Sequence, residues 1–393
     1  MTRESTQQSL QDHLAQWGLQ HFTNDEAYFQ WQRQELSPAE ITALHDRVEQ
    51  KRRGSPGAEA AFYDLTASPR ILPVLYSQRY EYYLTLAPVV AAGLAEAETI
   101  LDFGCGPGIL TTFYARRFPH AQVTGLDRSP ASIAHAQHKA EALGLENVRF
   151  ECVDFDSEQP IGLYERVVAT HALVQSEQDP GLPSRNWRTF ERAQETSGQS
   201  AFERRTGLDV RLDRLIASMA PSGRLIVFEK TRQLGRRIAV QRAFAARGLV
   251  LVEHPLPIRY CSVEEISDDG PLFVLRQGPV SSIPWDEQPE PDEGRPFDRA
   301  SAKPGTDDET PLYENHWPSA QRTWEALGDR MVIKEDTAEE LDGRQLHVEL
   351  GTAEGLRYLY CANTFDQRQL VIVEAARASM LHTYYQEIIQ GSA

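Results

Sequence analysis

The strongest chemical signal in the sequence is a glycine-rich loop that follows an apolar segment. Gly104, Gly106 and Gly108 come directly after TILDF, 99–103. Such a loop, between a strand and a helix, lets a ligand approach the backbone closely because no Cβ intervenes. Asp102 lies two residues before the first glycine, where its carboxylate would repel a phosphate and attract a cationic amino-acid ligand. The loop therefore favours a positively charged ligand.

Two further carboxylates follow the next apolar segments. Asp127 closes QVTGLD, 19 residues after Gly108, and would accept hydrogen bonds from two ribose hydroxyls. Asp154 closes VRFECVD, where it would meet the exocyclic amine of a purine. The dinucleotide fingerprint GxGxxG would need a third glycine at position 109, which is Ile109. The pattern therefore predicts a cationic nucleoside rather than a dinucleotide.

The elements that must position these residues alternate along the chain. From residue 99 to about residue 278, apolar runs of strand length alternate with helical patterns, which is typical of βαβ units around a parallel sheet. In an open parallel sheet, ligands bind beyond the carboxyl ends of the strands, which is where the loop and the carboxylates fall. The seven strand candidates are TILDF, QVTGLD, VRFECVD, RVVATHALV, GRLIVFEK, LVLVEHPLP and LFVLRQ.

Three of these segments resemble a known family. LDFGCGPG at 101–108, LDRSP at 126–130 and ECVDFD at 151–156 resemble the class I S-adenosylmethionine-dependent methyltransferases, in order and spacing over 99–278. The resemblance implies a seven-stranded Rossmann-like α/β sheet, S-adenosyl-L-methionine as cofactor and methyl transfer as the reaction. In that family the glycine loop holds the methionyl part, the acid after the second strand holds the ribose, and the acid after the third meets the adenine amine. Arg128 stands where the family often has an apolar residue against adenine. The predicted cofactor-binding residues are Asp102, Gly104, Cys105, Gly106, Gly108, Asp127, Arg128, Asp154, Phe155 and His171.

One histidine is the predicted catalytic residue. Methyl transfer from a sulfonium is an in-line displacement, and positioning alone can contribute about 7–11 kcal/mol to lowering the barrier. A hydroxyl or ammonium acceptor must also lose a proton to a base. His171, at the end of the fourth strand candidate, is placed to be that base. The alternative is a histidine that is only hydrogen-bonded at a strand end.

Two groups of residues are candidates for the acceptor site. Tyr76, Tyr80 and Tyr83 precede the glycine loop and would form an aromatic pocket wall, although aromatic residues at helical spacing also pack cores. Arg185 and Arg188 belong to an arginine-rich insertion that would recognise a carboxylate, a phosphate or an acidic peptide. The arginines of this insertion can instead pair with glutamates on a solvated helix. The sequence leaves both alternatives open.

The chain divides into four predicted segments. Residues 1–95 form a helical N-terminal cap that includes a capping box in SPAE, 37–40, and residues 96–279 form the methyltransferase core. Residues 280–311 contain six prolines and nine acidic residues, which predicts an extended, partly disordered acidic linker. Residues 312–393 are predicted as a small α+β accessory module with three antiparallel strands and a closing helix. Substrate binding, partner recruitment and homodimerisation are the roles left open for this module.

Composition excludes several classes of protein. The formal net charge of −17 argues against general nucleic-acid binding. The four cysteines form no CxxC and have no histidine pair beside them, so we expect reduced thiols and no metal. The N-terminal segment lacks the apolar core of a signal peptide, and no apolar run reaches the roughly 18 residues of a membrane helix. These features predict a cytoplasmic protein without a membrane partner.

Three functions fit these observations. The first is transfer of a methyl group from S-adenosyl-L-methionine to an oxygen or nitrogen acceptor on a small molecule or biosynthetic intermediate. The second is methylation of a protein or peptide that the arginine-rich insertion holds. The third is a non-catalytic, cofactor-binding interaction protein.

Overall fold

The structure is a computed structural model that divides the chain into two compact units. It describes residues 3–53, 57–155, 157–158, 162–175, 178–279, 282–300, 310–340 and 344–391. The sequence RGSPG, 53–57, predicts a break in the helical cap. Parts of this segment, of the motif ECVDFD and of the predicted acidic linker lie outside the described residues, at 54–56, 156, 280–281 and 301–309. The first unit consists of Met1–Asp179, Gln199–Gln233 and Val240–Trp285, and the second of Pro180–Gly198, Leu234–Ala239 and Asp286–Ala393.

The first unit begins with a run of helices. They are α1 (Arg3–Gln16), α2 (Asp25–Glu35), α3 (Pro38–Arg52), α4 (Ala58–Thr66), α5 (Ile71–Ser77) and α6 (Tyr80–Leu94). The capping box at α3 is confirmed, because the Ser37 hydroxyl accepts from the Glu40 amide at 3.3 Å and the Glu40 carboxylate accepts from the Ser37 amide at 2.8 Å. The sequence predicts one helical stretch over 76–94, but the structure breaks it, with Arg79 at φ −108° and ψ 30°. Tertiary contacts of Arg79, described below, override the helical propensity of this stretch.

Strands and helices then alternate as the sequence predicts. They are β1 (Thr99–Phe103), α7 (Ile109–Arg117), β2 (Gln122–Asp127), α8 (Pro130–Ala142), β3 (Val148–Cys152), β4 (Tyr164–Thr170), α9 (Thr196–Thr206), α10 (Leu208–Ala217), β5 (Met219–Phe228), α11 (Leu234–Ala246), β6 (Leu249–Leu251), β7 (Leu256–Ser262) and β8 (Glu265–Gln277). The described strands form one sheet in the order β3-β2-β1-β4-β5-β8-β6, with β7 beside β8. Strands β1 to β5 pair in parallel, whereas β8 runs antiparallel to β5, β6 and β7. The predicted α/β sheet is confirmed.

The far edge of the sheet differs from the prediction in one respect. The segment LVLVEHPLP, predicted as one strand, contributes to two strands, β6 and β7. β7 turns back on β8 as a hairpin, with Val263 in the left-handed region (φ 56°) at the turn. β8 therefore begins at Glu265, well before the predicted segment LFVLRQ. The sheet has eight described strands instead of seven.

The topology fixes where a ligand can bind. β1 lies between β2 and β4, so the order in which the chain adds strands reverses on either side of β1. In the register, Asp102 pairs with Gly125, and Asp127 pairs with Cys152. The carboxyl ends of β1, β2 and β3 therefore lie side by side, and open parallel sheets bind ligands in the crevice beyond such a reversal point.

An apolar core supports this edge of the sheet. Leu86 and Val90 on α6, Ile100 on β1, Phe113 on α7 and Phe228 on β5 belong to one cluster and are each no more than 2% exposed. Burying each such side chain contributes about 1.5–3 kcal/mol. The glycine loop between β1 and α7 is thus attached at both ends to well-packed elements.

The second unit contains a five-stranded antiparallel sheet. Its elements are β9 (Tyr313–Asn315), α12 (Ser319–Ala326), β10 (Met331–Glu339), β11 (Gln345–Ala353), β12 (Leu356–Asn363), β13 (Arg368–Glu374), a 3₁₀ turn (Ala375–Arg377) and α13 (Ala378–Gly391), and the strand order is β10-β11-β12-β13-β9. Trp324 of α12 packs on one face of the sheet, and Leu381 of α13 packs on the other. The structure contains the three predicted strands and the closing helix, and adds β10 and β9 at the edges.

The part of the predicted linker that the structure describes, 282–300, contains no helix or strand. Within the second unit, Phe297 packs edge-to-face on Tyr313, with ring centroids 5.6 Å apart. Across the described helices of both units, none combines the length and apolar character needed to span a membrane.

Candidate active site

The glycine loop between β1 and α7 is folded tightly against its neighbours. The Gly104 amide donates to the Leu126 carbonyl at 2.8 Å. Gly104 has φ +70°, and a Cβ there would lie 2.2 Å from the Cβ of Ala172. Gly106 is also in the left-handed region (φ +53°), with only the Tyr76 hydroxyl within 4 Å of the position of a Cβ. Gly104 is therefore required by both conformation and close packing, whereas Gly106 leaves open space above the backbone.

A cavity of about 190 Å³ lies at this edge of the sheet. Its position beyond the ends of the strands agrees with the reversal point of the topology. The predicted site residues that line it are Tyr76, Tyr83, Asp102, Gly104, Cys105, Gly106, Asp127, Arg128, Asp154, Phe155 and His171. The predicted site residues that are not among its lining residues are Gly108, Tyr80, Arg185 and Arg188. The structure thus brings the three carboxylates, the loop and the histidine together.

Asp127 ends β2 and holds the glycine loop in place. Its Oδ2 accepts from the Gly106 amide and its Oδ1 from the Ser129 amide, both at 2.9 Å. Burial raises the pKa of Asp127, and the hydrogen bonds from the two amides and the charge of Arg128 oppose that rise. A carboxylate has about four acceptor positions, so each oxygen that holds an amide can accept another hydrogen bond from a ligand hydroxyl.

Asp102 is the most deeply buried carboxylate of the cavity. It is 2% exposed, and its Oδ2 accepts from the Thr111 hydroxyl at 2.6 Å. Burial raises the pKa of Asp102 to about 7, with the hydrogen bond from Thr111 opposing the rise and the charge of Asp127 adding to it. Burial therefore makes the protonated carboxyl more favourable than it would be in water. A cation bound beside it would favour the ionised form.

The rim of the cavity after β3 offers one acceptor and one apolar surface. Asp154 is exposed, and its Oδ2 accepts from the Ser157 hydroxyl at 2.9 Å. Phe155 is 6% exposed and packs edge-to-face on Phe103, with ring centroids 4.1 Å apart.

Cys105, in the glycine loop, also lines the cavity. Burial raises the pKa of the Cys105 thiol well above its usual value, so this thiol is neutral and contributes surface rather than charge.

His171 lies in a polar cluster at the end of β4. Its Nδ1 is 3.2 Å from Nη2 of Arg79, and its Nε2 is 3.1 Å from Oδ2 of Asp269. The Tyr260 hydroxyl donates to the same Asp269 oxygen at 2.5 Å. The imidazole stacks on Tyr82, with ring centroids 5.4 Å apart. Neighbours on every side therefore fix the orientation of the ring.

The protonation state of this cluster follows from its donors. A guanidinium can only donate, so Nδ1 of His171 is the acceptor toward Arg79, and the ring proton is on Nε2, facing Asp269. Burial lowers the pKa of His171 to about 4, against the opposing effect of Asp269. Burial alone would raise the pKa of Asp269, but its contacts with His171, Tyr260 and Arg79 hold it well below its usual range. At neutral pH the imidazole is uncharged and the carboxylate is ionised.

The tyrosines before the glycine loop divide between the two predicted roles. Tyr76 and Tyr83 line the cavity, as the pocket interpretation requires. Tyr80 instead stacks on His21, with ring centroids 5.1 Å apart, and is 8% exposed in the core. Tyr82, which was not in the predicted set, also lines the cavity.

The arginine-rich insertion is divided between the two units. Arg185, in the second unit, pairs with Glu191, and Arg188 in the same unit lies over the ring of Trp187, 4.7 Å from its centroid. In the first unit, Arg211 lines the cavity and donates to the Ala172 carbonyl at 3.3 Å. Arg185 and Glu191 lie outside the described helices, so their pair is not the predicted pairing along a solvated helix. Arg211, another arginine of the insertion, lines the cavity.

Three residues of the site carry no local sequence signal, and the sequence offers a fourth, Glu229 after the fifth strand candidate, only as a second-rank candidate. Arg79, Tyr260 and Asp269 surround His171 but lie on three separate elements without a shared spacing. Glu229, a second-rank candidate at the end of β5, is 2% exposed and accepts from the amides of Ala172 and Leu173 at 2.7 and 2.6 Å. Glu229 thus holds the backbone that follows His171. The one local signal for any of these residues was the position of Glu229 at a strand end.

Comparison with known proteins also finds methyltransferases. Residues 100–184 match a family model described as a methyltransferase domain. The chain is 32% identical over 124 residues to the release factor glutamine methyltransferase of Geobacter sulfurreducens, which is 30% of this chain and 41% of that protein. It is 35% identical over 106 residues to the trans-aconitate 2-methyltransferase of Variovorax paradoxus, covering 26% of this chain and 39% of that protein. The chain thus spans less than half the length of these relatives.

The matched segment contains β1, the glycine loop, and the acids after β2 and β3, which are the features that the sequence singled out. The strand order of the first sheet and its antiparallel β8 agree with the Rossmann-like sheet that the resemblance implies. The matched segment and the sheet therefore agree with the resemblance to the class I S-adenosylmethionine-dependent methyltransferases, and the family model covers residues 100–184 of this chain.

Proposed function

We propose that the protein transfers a methyl group from S-adenosyl-L-methionine to an oxygen or nitrogen acceptor on a small molecule or biosynthetic intermediate. The observation that carries this proposal is a single cavity, lined by the glycine loop, by Asp102, Asp127 and Asp154, and by His171. Some relatives support it, because trans-aconitate 2-methyltransferases and an N-methyltransferase of tetrahydroprotoberberine are named for small-molecule substrates. The release factor glutamine methyltransferase is named for a release factor instead, and it supports the second candidate, a protein or peptide acceptor.

The cofactor would be held by three carboxylates in sequence. The open backbone at Gly106 would receive the methionyl part, with Asp102 facing its positive charge. Asp127 would accept from the ribose hydroxyls with the lone pairs that the two amides leave available. Asp154 would accept from the adenine amine, and Phe155 would form the apolar wall beside the base.

Bound S-adenosyl-L-methionine supplies an activated methyl group on a sulfonium, and the protein must supply alignment and a base. Nδ1 of His171 carries the available lone pair, because its ring proton faces Asp269. An acceptor hydroxyl or ammonium that takes the place of Arg79 at Nδ1 would transfer its proton there. Asp269 would stabilise the imidazolium that forms, as a carboxylate behind a histidine does in other enzymes.

The role of Asp102 predicts a pH dependence of cofactor affinity. A cation beside Asp102 lowers the pKa of its carboxyl from about 7. At low pH the free carboxyl is protonated, so cofactor binding must release that proton. The affinity for the cofactor therefore rises with pH until the free carboxyl is ionised. We expect the association constant to increase about tenfold between pH 6 and pH 8, since one pKa unit corresponds to about 1.36 kcal/mol. Calorimetry with S-adenosylhomocysteine at several pH values measures this. An Asp102→Asn variant should lose this increase, and an unchanged pH profile in that variant would contradict the role.

Label transfer tests the proposed function. The protein is incubated with methyl-labelled S-adenosylmethionine and with either a metabolite fraction or a protein fraction of a cell extract. We expect label in small molecules, and no transfer by an Asp127→Ala variant. Label confined to macromolecules would support a protein or peptide acceptor, and cofactor binding without transfer would support a non-catalytic protein. No heat with S-adenosylhomocysteine, together with tight binding of a nicotinamide dinucleotide, would overturn the cofactor assignment.

A further inference from the structure

The second unit contains a cluster of side chains that the methyl-transfer site does not use. β10 and β11 pair so that Thr337 lies opposite His347 and Glu335 lies opposite Glu349. Residues two apart on a strand share a face, so all four side chains lie on the same face of the hairpin. One donor atom each from Glu335, His347 and Glu349 lies within 4.8 Å of the other two.

His347 is held with one nitrogen satisfied and the other aimed into the cluster. Its side chain is 2% exposed, and its Nδ1 lies 2.8 Å from the Thr337 hydroxyl. The ring stacks face to face on Trp187, with centroids 3.6 Å apart and an angle of 1° between the planes. Its Nε2 is buried and has no hydrogen-bond partner in the part of the chain that the structure describes. A buried nitrogen without a partner is costly unless something binds it.

Glu349 is oriented toward that nitrogen by two donors. It is 4% exposed, and its Oε1 accepts from Nε1 of Trp324 at 3.1 Å and from the Tyr358 hydroxyl at 2.5 Å. Its Oε2 lies 3.6 Å from Nε2 of His347, which is too long for a hydrogen bond. Two ligands that each lie about 2.1 Å from a tetrahedral ion are separated by about 3.4 Å. The gap between the two side chains therefore fits a shared ion.

Charge supports the same conclusion. Glu335 and Glu349 are a directly opposed cross-strand pair, and like charges in that position destabilise a sheet. A cation between them would remove the repulsion. Because Glu335 is exposed, it also gives an ion a route from solvent to the buried pair.

We propose that the second unit binds a divalent transition-metal ion of the Zn²⁺ type through Nε2 of His347, Oε2 of Glu349 and the carboxylate of Glu335. Imidazole nitrogen favours transition metals over Mg²⁺ or Ca²⁺, and three protein ligands leave a fourth position for water or another ligand. Thr337, Trp324 and Tyr358 orient the ligands through the atoms that do not face the ion, which is the usual arrangement around such sites.

Metal binding by the full-length, tag-free protein tests this proposal. After treatment with a chelator and removal of the chelator, equilibrium dialysis against Zn²⁺ should give one tightly bound ion per chain. Titration with Co²⁺ should give the visible absorption of a low-symmetry, four-coordinate site. We expect His347→Gln and Glu335→Gln to weaken binding by at least about tenfold, because each removes a ligand. Glu335 is exposed, so its variant should fold even where His347→Gln does not.

His316→Gln is the matched control. His316 also lies in the second unit and its Nε2 is 2.7 Å from a carboxylate oxygen of Glu314, but this pair is exposed and is not part of a three-residue cluster among the described residues. This variant should bind Zn²⁺ like the wild type. Absence of tight Zn²⁺ uptake by the wild type would overturn the proposal. Uptake that neither His347→Gln nor Glu335→Gln reduces would overturn it as well.

Discussion

An Asp127→Ala variant is expected to bind S-adenosylhomocysteine far more weakly than the wild type. The side chain would accept hydrogen bonds from the ribose, and it already fixes the Gly106 amide at 2.9 Å. Two hydrogen bonds to a charged acceptor contribute about 1.5–3 kcal/mol each, so their loss should weaken affinity by roughly 10²–10⁴-fold. Isothermal calorimetry at fixed pH measures the change, and thermal unfolding of the free variant shows whether the loop still folds.

Two variants separate the ribose contact from general damage. Asp127→Asn keeps an oxygen that can accept from the Gly106 amide but loses the charge and part of the acceptor capacity, so we expect an intermediate affinity. Glu146→Ala removes an exposed acid before β3 and should bind like the wild type. If Asp127→Ala binds within about threefold of the wild type, which corresponds to less than 1 kcal/mol, Asp127 does not hold the cofactor.

A His171→Ala variant is expected to bind the cofactor normally and to turn over slowly. Loss of a general base typically lowers the rate by about 10²–10⁴-fold. His171 is also among the predicted cofactor-binding residues, but its ring stacks on Tyr82 and its nitrogens face Arg79 and Asp269, so we expect its loss to change cofactor affinity little. Single-turnover kinetics, with cofactor affinity measured in parallel, separate the two effects. Turnover requires an identified acceptor, which the label-transfer experiment supplies.

The pH profile gives this prediction a second readout. Because the pKa of His171 is lowered to about 4, the unprotonated base is fully present above about pH 5, and its contribution is lost only as pH falls through 4. Ionisation of His171 should therefore cause no change in the wild-type rate, measured at saturating cofactor, between pH 6 and pH 9. Full activity of His171→Ala across that range would refute the assignment of the base.

Backbone conformation calls for one further control. His171 has φ 54°, a left-handed conformation that costs a residue with a Cβ about 1 kcal/mol or more, and asparagine tolerates it better than alanine does. His171→Asn therefore tests the loss of the base with less disturbance of the backbone. Asp269→Asn should reduce the rate less than His171→Ala, because it leaves the imidazole in place but withdraws the charge that stabilises the imidazolium. His254→Ala, at an exposed histidine elsewhere, should have no effect.

The parallel part of the first sheet could be predicted because buried strands have continuous apolar sequences. Short apolar runs mark β1 (IL in TILDF) and the end of β5 (LIVF, 225–228), and β2 (QVTGLD) places apolar and small residues between two loops. β10 gave no such signal, since MVIKEDTAE is exposed along most of its length at the edge of the second sheet. Edge strands commonly carry charges, which hides them from a search for apolar periodicity.

The cofactor side of the site could be predicted because a loop of alternate glycines and the acids after β2 and β3 are local patterns. The cluster around His171 could not, because Arg79, Tyr260 and Asp269 converge only through tertiary structure. The segment SDDGP, which contains Asp269, is typical of a turn. In the structure β8 runs through it, paired with β7, and the turn lies earlier, near Val263. Arg79 was hidden in the same way, within a stretch that reads as an uninterrupted helix.

Glu229 accepts hydrogen bonds from the Ala172 and Leu173 amides, and these bonds have a practical consequence for protein engineering. The backbone that follows His171 is anchored by a side chain from the neighbouring strand. We therefore expect that substitutions after Leu173 within the first unit leave the histidine in place as long as Glu229 is kept. The chain from β1 through Leu173, together with Glu229, would then be a constant frame onto which new acceptor preferences could be grafted.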